Sequence, residues 1–202
     1  MSVVLAVCST NFFKIMSDGR LVKFDNTIPF DARRFTIERE DYPKIIKVAE
    51  HWAVGIGGSG NVAFSLFDEI RKRSAYKTLS LEQIVFKIKN KLRSYEKQPV
   101  ITNVLVGGLK SNRKYSLYIL SSESEYEPVV LTPQKNEFEI KGAFPKMENH
   151  ERILQQCIYD NAPYKDIQHL DSLMRSCIEA VADVEPSVNK RIFDELIAGG
   201  QI

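Results

Sequence analysis

The chain has 202 residues, 44% of them hydrophobic and 27% charged, with a net charge of +2; this suits one domain, residues 1–202, with a sizeable core and offers no electrostatic argument for nucleic acid or an anionic membrane. Three cysteines (Cys8, Cys157, Cys177) without CxxC spacing, and three histidines (His51, His150, His169) in unrelated segments, argue against a disulfide framework or a zinc site. No apolar run approaches the roughly 20 residues of a membrane helix, and the first run is too short and too uncharged at its start for a signal peptide, so a cytoplasmic protein is expected.

Val3–Cys8 and Phe12–Ser17 are apolar runs joined by the polar STN, the pattern of a hairpin. Residues 20–42 are long, charged and irregular, with a short strand expected at Phe35–Ile37. Ile45–Val48 and Ala53–Ile56 predict a second hairpin around AEHW. Two helical segments follow a GGSG turn. Asn61–Ser74 puts Val62, Phe64, Leu66, Phe67 and Ile70 largely on one side. Ser80–Tyr95 opens with a capping box, Ser80 with Gln83, followed by Leu81, Ile84, Val85, Ile88 and Leu92 at helical spacing. Strands return at Val100–Leu109 and Tyr115–Leu120 around KSNRK, then at Val129–Leu131 and Phe138–Ile140. Helices over Lys146–Tyr159 and Asp166–Ala182 and a strand over Lys190–Ile197 end the chain. Strands, two helices, strands, two helices and a strand favour mostly antiparallel sheets with helices stacked outside.

Gly55-Ile56-Gly57-Gly58-Ser59-Gly60 satisfies GxGxxG between a strand and a helix. The rest of a dinucleotide unit is missing, because a second helix follows where a parallel strand ending in an acidic residue should stand. Two other uses of the glycines remain: close approach of backbones, or backbone N–H groups presented to an oxyanion. Taken singly, Ser2 is an ordinary chain start, Asp18 a turn residue and Lys44 a solvated lysine. Together they compose a chemistry. An N-terminal serine carries its own base, an α-amine with a reference pKa of about 7.7–8.0. A lysine cation lowers the amine and hydroxyl pKa values, an aspartate holds that lysine, and a glycine N–H stabilises the oxyanion.

On these residues the chain resembles the N-terminal nucleophile hydrolases of the proteasome type, β-type proteasome subunits and their bacterial two-component relative. With Ser2 in the place of the mature N-terminal threonine, SDGR falls on the family's Asp-x-Arg signature, giving Asp18 and Arg20. PKIIKVAEHWAVGIGGSG then places Lys44 as the catalytic lysine and Gly58 as the oxyanion glycine. The resemblance implies a four-layer αββα sandwich of the α+β class and a peptidase or amidase that needs no metal or organic cofactor. It also implies a peptide or protein substrate, a homo-oligomeric ring and an ATP-dependent unfoldase as partner. The absence of an extra helix before the first strand favours β-type over α-type character. Three features depart from the family. The nucleophile is serine, without the methyl that restricts the rotamer. IKGAFP, with Lys141, Gly142 and Ala143, lacks the serine of the family's Gly-Ser-Gly. In ADVEPSVN, Glu185 falls nearest the supporting aspartate, with Asp183 as an alternative, and Val188 replaces a serine. Residues 21–43 are longer than usual in the family, so substrate preference does not carry over. While Met1 remains attached, the nitrogen of Ser2 is an amide and no base. The opposing reading is therefore an inactive subunit of the same fold, working by assembly; RKR (71–73) and KIKNKLR (87–93) are either interface or a solvated helix face.

Overall fold

The computed structural model describes residues 3–24, 35–95, 101–135, 137–143, 148–160 and 166–199. The elements in chain order are β1 (Val4–Ser9), β2 (Phe12–Asp18), β3 (Leu21–Phe24), β4 (Phe35–Arg39), β5 (Ile45–Ala49), β6 (Trp52–Gly57), α1 (Gly60–Lys72), α2 (Leu81–Arg93), β7 (Asn103–Leu109), β8 (Tyr115–Ser121), β9 (Val129–Leu131), β10 (Phe138–Ala143), α3 (Glu148–Asp160), α4 (Ile167–Val184) and β11 (Ile192–Ala198). One sheet has the order β10-β1-β2-β11, a second β5-β6-β7-β8-β9, and β3 pairs with β4 alone. Every pairing is antiparallel.

Side-chain alternation with period two builds the layers. Along β1, Val4, Ala6 and Cys8 enter the cluster between the two sheets, while Leu5 and Val7 join Val3 in the cluster under α4. Along β6, Ala53 faces the other sheet, and Trp52, Val54 and Ile56 meet α1 and α2. Each outer helix contributes an apolar stripe, Val62, Leu66, Phe67 and Ile70 from α1 and Leu170, Leu173, Met174, Cys177, Ile178 and Val181 from α4. Burying one such aliphatic side chain is worth about 1.5–3 kcal/mol, so the stripes decide which helix face is inward. The result is a four-layer αββα sandwich of the α+β class, as the family resemblance implies.

Between the two sheets, Gly55 leaves out a side chain. A Cβ there would lie 2.6 Å from Val4 Cγ1 and 2.7 Å from Ile15 Cδ1. The first glycine of the GxGxxG run therefore serves sheet packing. The helix after the run leads to α2 and then to β7, antiparallel to β6, so the crossover of a dinucleotide unit is not formed.

Two features differ from the sequence reading. Residues 20–42 contain a second short strand, β3, paired with β4; the expected irregularity in residues 25–34 lies outside the described residues. A 3-10 turn, Ser74–Thr78, joins α1 to α2 and buries Tyr76. The capping box is formed: Ser80 Oγ accepts from the Gln83 N–H at 3.3 Å and Gln83 Oε1 from the Ser80 N–H at 3.0 Å.

Candidate active site

The strand registers bring several chain segments to one end of the sandwich. Val4 at the start of β1 pairs with Ser17 near the end of β2. The start of β11, Ile192, pairs with Asp18, and the end of β10, Ala143, pairs with Val4. In the other sheet the start of β5 lies beside the end of β6. Lys44, the residue before β5, ties the sheets together there. Its N–H donates to Ser17 Oγ at 3.3 Å, its carbonyl accepts from the Ile56 N–H at 3.0 Å, and its ammonium reaches across to Asp18.

That Asp18–Lys44 contact is the centre of the arrangement. Lys44 Nζ lies 2.6 Å from both carboxylate oxygens of Asp18. Asp18 Oδ1 also accepts from the Val3 N–H at 2.8 Å, and Oδ2 from the Arg20 N–H at 3.0 Å. The Asp18 N–H in turn donates to the Val3 carbonyl at 3.2 Å. Both side chains are buried, with relative exposures of 0% for Asp18 and 3% for Lys44. A buried charge is tolerated when it is paired and its remaining hydrogen-bonding capacity is used, and Asp18 meets both conditions. Burial pushes the Lys44 ammonium below the ordinary lysine value, against the opposing pull of Asp18.

Around this pair, Arg20 Nη1 donates to the Pro186 carbonyl at 2.5 Å and Nε to Glu40 Oε2 at 3.0 Å. Asn189 bridges the same corner, accepting from the Gly19 N–H at 2.9 Å and donating to Glu40 Oε2 at 2.6 Å. Arg20 thus ties the SDGR turn to the segment between α4 and β11. Gly58 follows β6 with φ +115°, a conformation that favours glycine; a Cβ there would collide with the Ile101 carbonyl. The next residue, Ser59, donates its N–H to Thr102 Oγ1 at 3.2 Å.

The two carboxylates open to the supporting role have different surroundings. Asp183 is exposed and pairs with Lys190 at 2.6 Å. Glu185 is buried. Its Oε1 accepts from both the N–H and the hydroxyl of Ser187, at 3.0 and 2.7 Å, while Oε2 has no partner among the described residues. Ser187 was missed in the sequence, where Val188 was compared with the family's serine; Val188 is a core residue under α4. A carboxylate two residues before a serine, with one proline between, is the signal that would have found it. Lys141 and Gly142 lie on β10, opposite Ala6 and Leu5. The structure thus brings Asp18, Lys44 and Arg20 together beside Val3. Ser2 and Met1 lie outside the described residues.

Among the described residues, no helix is long and apolar enough to cross a membrane. In sequence, the family model described as Proteasome subunit matches residues 3–130. No curated protein matches the chain. Among solved structures, the chain is similar to eukaryotic HslV from Trypanosoma brucei, at 12% identity and a TM-score of 0.61, over 98% of this chain and 99% of that one. The family match spans both sides of the Asp18–Lys44 pair and more than half of the sequence, and the likeness of fold extends over nearly all of it: the chain belongs to the proteasome subunit family.

Proposed function

We propose that the chain is a proteasome-type N-terminal nucleophile peptidase or amidase, one domain over residues 1–202, that acts from Ser2 once Met1 has been removed. The observation that carries this reading is the Asp18 carboxylate, held at once by the Lys44 ammonium and by the N–H of Val3, the residue next to Ser2. It anchors a lysine cation to the N–H of the residue that precedes β1, next to Ser2.

The neutral α-amine of Ser2 takes the hydroxyl proton as Ser2 Oγ attacks the substrate carbonyl. Lys44 supplies positive charge that favours the alkoxide, Asp18 orients Lys44, and the Gly58 N–H receives the oxyanion. The protonated amine then delivers its proton to the leaving amine. An ester to Ser2 results, and water, deprotonated by the same amine, hydrolyses it. Arg20 braces the Asp18 turn, and Glu185 is the supporting carboxylate. The residues supply every proton transfer without a metal or organic cofactor. The family resemblance further points to peptide or protein substrates, a homo-oligomeric ring, an unfoldase partner driven by ATP and a cytoplasmic setting.

The test joins intact mass with kinetics. The natively expressed chain should begin at Ser2, and Ser2→Ala, whose small side chain still permits methionine removal, should reduce hydrolysis of a fluorogenic peptide amide to background while Ser2→Thr retains it. An unchanged rate in Ser2→Ala sinks the proposal. Quantitative retention of Met1 favours the assembly-only reading.

A further inference from the structure

Strands β6 and β7 pair as far as Gly57 and Asn103. Beyond that pair the two segments stay in contact, residues 58–59 leading into α1 and residues 101–102 into β7. Gly58 lies so close to the second segment that a Cβ on it would strike the Ile101 carbonyl and stand 2.8 Å from Thr102 Cα. A side-chain hydrogen bond closes the contact: Thr102 Oγ1 accepts from the Ser59 N–H at 3.2 Å. Thr102 is fully buried and is itself clamped. Its N–H donates to Ser122 Oγ at 3.0 Å, and its carbonyl accepts from the Ser122 N–H at 2.9 Å. Ser122 opens the 3-10 turn that follows β8. On the far side of Gly58, the Ser59 carbonyl accepts from the Ala63 N–H at 3.1 Å, which fixes the entry to α1.

We infer that Thr102 is a positioning residue for the oxyanion donor, an inference that rests on the Gly58 N–H having that role in the proposed reaction. Gly58 holds φ +115°, and without a Cβ it can leave that value at little steric cost. An oxyanion donor has to be fixed in advance, because a dipole that must reorient as charge develops stabilises that charge less. Gly57 is held by the ladder to β7, and the peptide after Gly58 is held by Thr102 Oγ1, so the torsions of Gly58 lie between two anchored units. The branch at Cβ restricts the threonine rotamer, and the two bonds to Ser122 fix the backbone that carries it. Thr102 thus acts on the developing charge through Gly58. An interaction realised only in the transition state changes kcat and kcat/KM equally and leaves KM alone.

The test reads two quantities on the whole chain with Met1 removed: hydrolysis of a fluorogenic peptide amide, and hydrogen exchange of the Ser59 amide by NMR. Thr102→Val keeps the branched shape and deletes the acceptor. It should lower kcat by about 10–100-fold, short of the roughly 10²–10³-fold for deleting an oxyanion donor outright. KM should stay within about twofold, and the Ser59 amide should exchange faster. Thr102→Ser returns the hydroxyl and should recover most of the rate. A role in packing alone predicts the reverse order, since valine keeps the methyl that serine lacks. Ser122→Ala loosens Thr102 without touching its hydroxyl and should lower kcat by less than Thr102→Val, again at constant KM; should Thr102→Val fail to fold, an unchanged kcat in Ser122→Ala overturns the inference. In a folded Thr102→Val chain, an unchanged kcat or an unchanged Ser59 exchange rate overturns the inference and leaves the peptidase reading standing. A parent chain without Ser2-dependent hydrolysis sinks that reading and the inference with it.

Discussion

Lys44 meets two demands that pull its protonation in opposite directions. Burial lowers its pKa, and the bidentate contact with Asp18 holds the proton on. In the proposed reaction the α-amine must be neutral, so activity rises with pH through the amine value, for which about 7.7–8.0 is the reference. Lys44 must be charged, so activity falls again as Lys44 loses its proton, and that limb lies below the roughly 10.4 of an exposed lysine. Lys44→Met should cost about 10²–10³-fold in kcat, the usual loss for one electrostatic stabiliser. Lys44→Arg should be slow, since a planar guanidinium does not reproduce the ammonium geometry, but it should lose the alkaline limb because arginine does not titrate there. A pH profile of kcat/KM for the arginine variant checks this, and an unchanged alkaline limb would show that another group sets it. At this scale the sequence was only partly legible. Asp18 and Lys44 stand 26 residues apart, and no spacing rule couples them; only the family resemblance put them in one site. Ser187 escaped because its bond to Glu185 depends on a local turn and not on alignment with a family serine.

Helix α2 shows why some elements are readable and others are not. Its start is written twice, in the reciprocal Ser80–Gln83 hydrogen bonds and in the apolar stripe from Leu81 to Leu92. Ser80→Ala removes one bond of the box and should cost about 1 kcal/mol, seen as a fall of about 2–4 °C in thermal midpoint for a chain of this size; Ser80→Thr should recover most of it. A midpoint unmoved by Ser80→Ala would mean that packing alone sets the helix start. The strands of the two main sheets were legible for the same reason, since alternation in β1 and β6 sends successive residues into different clusters. Strand β3 was not, because LVKF offers four residues and places its lysine in the pattern, and its pairing with β4 is interrupted by a register shift after Leu21. The 3-10 turn at Ser74–Thr78 carries no apolar period either and is held by the burial of Tyr76. Much of the basic surface of α1 and α2 is answered by acids: Lys72 by Asp68, Lys91 by Glu69, Arg93 by Glu127.

Across the whole molecule, the four-stranded sheet and its helices are joined by apolar contact and by an ionic knot. Lys14 lies on the helix-facing side of β2, between Phe12 and Met16, and its ammonium sits 2.7 Å from Asp171 of α4 and 2.8 Å from Asp194 of β11. Arg175 closes the ring, at 2.7 Å from Asp171 and 3.3 Å from Asp194. Partial burial raises the Asp171 pKa, but the hydrogen bonds from Lys14 and Arg175 outweigh it and hold the carboxyl below its ordinary value. A carboxylate depressed in the folded state contributes stability that is present above its unfolded value, about 3.9, and is lost as pH falls through the folded one. Protonation of Asp171 would also leave the buried Lys14 with one partner fewer. Asp171→Asn should therefore destabilise the chain at neutral pH by an amount between the roughly 0–1 kcal/mol of an exposed pair and the roughly 3–5 kcal/mol of breaking a buried one. The variant should also lose less stability than the parent chain between about pH 5 and 2. Lys14→Met should cost less than Asp171→Asn, because it removes the buried cation and leaves both aspartates with Arg175. Denaturant midpoints measured across that pH range separate the two variants. Parallel pH slopes for Asp171→Asn and the parent chain would show that the acid sensitivity of the fold arises elsewhere than in this knot.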